Sequence, residues 1–171
     1  LSHFGSTLKR QIPELGVALG PARLSPAERT LYASVSLCAV TETLSTALLI
    51  EMKRRAKHPL IHETVHSILE DEISHSRIGW AHLAWERKLR SVDWIGQYLP
   101  QMLQEAIIGD VPSMIAPKQS PDDLGTWGIL PRPEAKAIML KTTLEVILPG
   151  LAASGIDIAS AREFASVTFC A

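Results

Sequence analysis

From Thr30 to Ile50 the chain reads "TLYASVSLCAVTETLSTALLI", and only Glu42 in it is charged. A helix that is apolar on nearly every side lies either at the centre of a bundle or in a membrane. This one is just long enough to span a bilayer. Its middle, however, is Ser, Thr and Glu42, and a central acid in lipid is costly. The bundle is the expected home, with no membrane as partner. Glu42 then constrains the rest of the fold. Inside a core an isolated carboxylate costs several kcal/mol unless it is paired, protonated or bound to a metal.

The helix that carries Glu42 has a clear start. Ser25 suits the N-cap, Pro26 the first helical position, and Glu28 completes a capping box. It is expected to run to about Lys57, where the basic "KRRAK" favours a C-terminal dipole. Pro59 restarts the chain, and a second long helix is expected to reach about Leu89. A third, "VDWIGQYLPQMLQEAIIG", is expected to be interrupted by Pro100. Residues 110–133 hold Pro112, Pro117, Pro121, Pro131 and Pro133 and read as a long loop, a lid or a docking segment. A fourth helix, from about Glu134 to Leu148, should stop at "PG", and the tail "ASAREFASVTF" should add a short one. No segment alternates long enough for a strand. The expected class is all-α, a helical bundle built on a long antiparallel hairpin with two further helices. Residues 1–24 form a lead-in, 25–90 the hairpin and 91–171 the remainder of the same domain.

A chain of 171 residues with 46% apolar and 20% charged residues suits one globular domain. A net charge of -1 gives no reason to expect nucleic acid. Two cysteines, Cys38 in an apolar helix and Cys170 next to last, imply no disulfide framework and a cytoplasmic, reducing setting. The first residue is Leu1 rather than Met, as in a fragment or a processed chain.

The partner for Glu42 follows from arithmetic. The hairpin turns near Lys57–His58. Glu42 lies about fifteen residues before the turn, and Glu72 and His75 about fifteen to seventeen after it. Residues equally far from the turn of an antiparallel hairpin stand at one height, and residues three apart share a helix face. Glu42 is therefore expected to meet Glu72 and His75, with Cys38, Ala39, Ser45 and Thr46 small enough to leave room for an ion. Two carboxylates and one imidazole are a donor set for Fe(II) or Mn(II).

Glu42, followed about thirty residues later by Glu72-x-x-His75, resembles the half-site of the ferritin-like di-iron carboxylate superfamily. "CAVTETLSTALL" and "EDEISHSRIGWAHLAW" look like its second helical pair, and the resemblance covers residues 25–90. It implies a ferritin-like bundle and a two-metal iron centre, Mn being possible, in an oxidoreductase that activates O2 or peroxide on a small substrate. Glu42 would be a terminal or bridging carboxylate, Glu72 a bridging one and His75 a terminal ligand. Asp71 would orient a ligand His of the other helical pair. Ferroxidase or iron handling is the neighbouring activity. A non-catalytic structural or interaction module with a vestigial site is the alternative from another class.

The family's full site needs a second Glu and a second Glu-x-x-His. Glu105 and Glu145 have no His three residues on. Glu63-x-x-His66 lies nine residues before the first motif, about half a circle away, and faces elsewhere. An upstream segment or a second copy in an oligomer is the expected source. Of the remaining groups, Glu70, His58, His62 and His66 are expected to be solvated, as is the "KRRAK" run. His82 should pack or stand behind the ligands. Trp80, Trp85 and Trp94 are expected in the core, and Cys38 as a small core residue.

Overall fold

The computed structural model describes residues 20–108 and 124–170, and among these it is helical with no strand. Helix α1 runs Pro26–Arg55. Its capping box forms as expected: the Glu28 amide donates to the Ser25 hydroxyl at 3.3 Å, and the Ser25 amide donates to the Glu28 carboxylate at 2.8 Å. Ala56 leaves helical geometry at ψ 110, the Lys57 amide donates to the Thr126 carbonyl at 2.9 Å, and Pro59 opens α2, Pro59–Leu89. The two helices form the long antiparallel hairpin.

One feature of α1 has no sequence signature. From Ser34 to Thr41 it is a π-helix, and the Glu42 amide donates to the Leu37 carbonyl five residues back. The Thr41 hydroxyl donates to the Ser36 carbonyl at 3.0 Å, a side-chain bond of the same span. The wider turn shifts the phase of the rest of the helix. Such insertions in α-helices recur at functional sites.

Among the described residues three further helices follow. A 3₁₀ turn, Asp93–Tyr98, leads into α3, Leu99–Ile108. Pro100 therefore does not interrupt a helix: it lies in the first turn, where a missing N–H costs nothing. Helix α4 spans 132–152 as three consecutive segments, Arg132–Thr142, a π-turn Thr143–Ile147 and Leu148–Ala152. The expected stop at "PG" is not made, because the π-turn re-registers the backbone and Pro149 falls in the first turn of the segment Leu148–Ala152. Helix α5 is Ala159–Cys170. Of these three, α3 and α4 pack on α1, and α5 packs on α3 and α4. The expected lead-in lies largely outside the described residues, as does most of the Pro-rich loop. Of that loop the described part holds a 3₁₀ turn, Gly125–Trp127, ending at Gly128 with φ 74. A side chain at Gly128 would stand 2.9 Å from the Met52 carbonyl, so glycine lets this turn close over the end of α1.

The main core gathers Leu31, Leu44 and Leu48 of α1, Leu83 of α2, Leu99 and Met102 of α3, and Met139 and Ile147 of α4. A smaller cluster, Leu49, Val65 and Leu69, seals the turn end of the hairpin. Among the described residues helix α1 alone passes by length and composition as a membrane span, with a mean hydropathy of 1.6, yet it supplies much of this core. Trp80 and Trp94 pack against the core, whereas Trp85 is 60% exposed. The expectation for Trp85 fails because, among the described residues, nothing packs on its helix face.

Candidate metal centre

Helices α1 and α2 come very close midway along the hairpin. A side chain at Gly79 would stand 2.4 Å from the Ala39 amide nitrogen and 2.7 Å from the Cys38 Cβ. That approach is possible only for glycine. One and two turns away on α2, and at the end of the π-segment on α1, stand the three residues that the spacing selected. Glu42, Glu72 and His75 each present one ligand atom, and the three atoms lie within 4.8 Å of one another. Glu42 and Glu72 are half-buried and His75 is exposed.

The polar bookkeeping of this cluster is incomplete. Glu72 Oε2 is buried and, among the described residues, has no hydrogen-bond partner. His75 Nδ1 stands 3.7 Å from it, beyond hydrogen-bonding reach. A buried carboxylate oxygen without a partner costs about 1–3 kcal/mol. Two donors at roughly 2.1 Å from one ion stand at most about 4.2 Å apart. Ligand atoms within 4.8 Å of one another are therefore close to the span that one ion would hold. Hard oxygen donors with one imidazole fit Mn(II), Fe(II) or Zn(II) better than a soft-ligand metal.

Neighbouring groups sort themselves differently. Asp71 is exposed on α2. His82 turns to Glu86, with Nε2 and Oε1 3.5 Å apart, and Glu86 in turn accepts from Arg90 at 2.6 Å. Glu63-x-x-His66 stays out of the cluster, as expected. His66 is not simply solvated, however: its Nδ1 lies 3.1 Å from the Lys53 ammonium, which fixes it as an acceptor there. The basic run is likewise more ordered than expected. Arg54 and Arg55 both bond Glu51, and Arg55 also reaches Glu134 of α4. His58 is exposed as expected, stacked on Trp127 with ring centroids 5.2 Å apart. Burial pushes the Cys38 thiol up, away from reactivity, as suits a small group wedged at a helix crossing.

Sequence reasoning found the three clustered residues but not what brings them together. The π-turn and the Gly79 contact set the geometry, and of these only the lone glycine in the middle of α2 was visible as a signal. No family model, curated protein or solved structure matches this chain.

Proposed function

We propose that Glu42, Glu72 and His75 hold a divalent transition metal, iron by preference, as half of a two-metal carboxylate centre in an oxidoreductase. The single observation that carries this reading is the cluster itself: three donors from two helices with Glu72 Oε2 buried and unpartnered. When bound, such a metal supplies redox chemistry toward O2 or peroxide. The chain's residues do the rest. Glu42 and Glu72 together offset the charge of one divalent ion, and neutral His75 adds a nitrogen donor without adding charge. Exposure at His75 leaves a small molecule a route to the site, while the packed hairpin shields the opposite side. Resemblance to the ferritin-like half-site supports iron over other metals.

The test is metal content of the desalted chain after anaerobic Fe(II) loading, with Mn(II) and Zn(II) in parallel. One or more irons per chain, lost in Glu72→Ala with helix content kept, is the expected result. Equal uptake by the parent and Glu72→Ala would sink the assignment. Absence of any metal would leave a helical interaction module.

A further inference from the structure

We propose that the turn end of the hairpin binds a phosphate group, at a site separate from the metal cluster. Arg54, Arg55, Lys57, Gly125 and Thr126 line a cavity of about 310 Å³ between the end of α1 and the 3₁₀ turn Gly125–Trp127. Three of these five residues are cations, and none is a carboxylate. Basic residues suit any helix C-terminus, but the dipole does not require them to share a cavity with a second element. Here the Lys57 amide donates to the Thr126 carbonyl at 2.9 Å, which ties the two walls together. Arg55 lies thirteen positions beyond Glu42 on α1, about 20 Å at a rise of about 1.5 Å per residue. The site therefore does not depend on the metal reading.

Both arginines are fixed by carboxylates that do not line the cavity. Glu51 accepts from Arg54 Nε at 2.8 Å and Nη2 at 2.6 Å, and from Arg55 Nε at 2.7 Å, while Glu134 accepts from Arg55 Nη2. A guanidinium carries its N–H donors in a rigid fork. Nη1 of each arginine has no partner among the described residues. Lys57 is exposed, and no carboxylate among the described residues lies within 4.0 Å of its ammonium. The wall thus offers two clamped guanidinium groups and a free ammonium. Three full positive charges outweigh the roughly half negative charge of the helix end. An oxyanion with several acceptor oxygens uses such donors together, as a single-atom anion cannot. The whole chain carries only -1, and the walls are one helix end and one turn, so the fit is to a small ligand rather than to a polyanion.

The experiment is calorimetric titration of the full chain, stripped of metal and desalted, with inorganic phosphate and with phenyl phosphate. Sodium chloride holds the ionic strength constant. One saturable site per chain is expected. Lys57→Gln, at an exposed position, should weaken binding about tenfold or more with helix content kept. Arg54→Gln should weaken it as well. Lys141→Gln, exposed on α4 and outside the cavity, should change it by less than about twofold. No saturable binding, or a Lys57→Gln protein that binds as the parent does, overturns the proposal. So does an equal loss in Lys141→Gln, which would mean general charge attraction. Binding of phenyl phosphate assigns the site to a phosphate ester, and binding of inorganic phosphate alone assigns it to the free ion; either upholds it. Metal uptake through Glu72 without phosphate binding refutes only this site. Phosphate binding without metal uptake refutes only the metal reading.

Discussion

Glu72 carries a liability at the scale of one residue. Its Oε2 is removed from water and given nothing in return. Folding tolerates such a group at a cost, and a ligand that binds it recovers that cost. Replacing it by an apolar side chain of similar size should therefore have opposite effects in two conditions. Glu72→Met is expected to leave the metal-free protein as stable as the parent or stabilise it by about 1 kcal/mol, since the unpartnered acceptor is gone. The same variant should abolish any stabilisation by Fe(II) or Mn(II). Paired thermal melts with and without metal read both effects. A Glu72→Met protein destabilised in the absence of metal would mean that the carboxylate has a structural partner. Single residues were the most legible level of this sequence. A carboxylate in an apolar helix demands a partner, and hairpin arithmetic says where to look. Trp85 and His66 were misread because type alone decides neither: an indole is exposed when its helix face is unpartnered, and an imidazole is recruited when a lysine such as Lys53 reaches it.

At the scale of elements, the α1–α2 crossing depends on Gly79. Alanine there gains about 1 kcal/mol in helix propensity. Against this, its methyl would meet backbone at 2.4 Å, and a backbone nitrogen cannot turn aside. Overpacking costs about 1–3 kcal/mol, so the net effect of Gly79→Ala should be destabilising. Because the helices must part where Glu42 faces Glu72, metal affinity should fall with stability; urea melts and metal titration of the variant test both. The turn end of the hairpin is held differently. Hydrogen bonding from Arg54, with Arg55 beside it, holds the Glu51 carboxyl down at about 2, from an ordinary 4.5. A carboxyl with a depressed folded pKa contributes stability that is fully present above about pH 4.5 and is lost as pH falls through about 2. Arg54 is largely exposed, so screening keeps the contribution to about 1 kcal/mol. Glu51→Gln should lose that much at pH 7, and its urea midpoint should converge on the parent's as pH approaches 2. Helix starts were legible here through capping chemistry and prolines. The π-turns were not, since a one-residue insertion leaves composition and approximate period unchanged.

For the whole molecule, the all-α class was legible because nearly every segment repeats with helical spacing and none alternates. One part of the packing was legible too: the single charge between Thr30 and Ile50, Glu42, pointed to a place in a bundle core, and α1 does supply much of the main core. The packing of α3 and α4 on α1, and of α5 on α3 and α4, was not, because three separate amphipathic segments can dock in several orders with similar burial. The hairpin nevertheless makes the proposed metal site a property of the entire fold: Glu42 and the Glu72–His75 pair approach one another only when α1 and α2 are packed, and an unfolded chain offers no such site. Metal binding is then linked to global unfolding. A metal at a hundred times its dissociation constant adds about 2.7 kcal/mol. For a chain of this size each kcal/mol moves the melting temperature by about 2–4 °C, so a rise of roughly 5–11 °C is expected. The rise should grow by a constant increment for each tenfold increase in free metal, since the stabilisation is logarithmic in concentration. A melting temperature that stops rising once metal is stoichiometric, or never moves, would mean that metal does not distinguish the folded hairpin from the open chain.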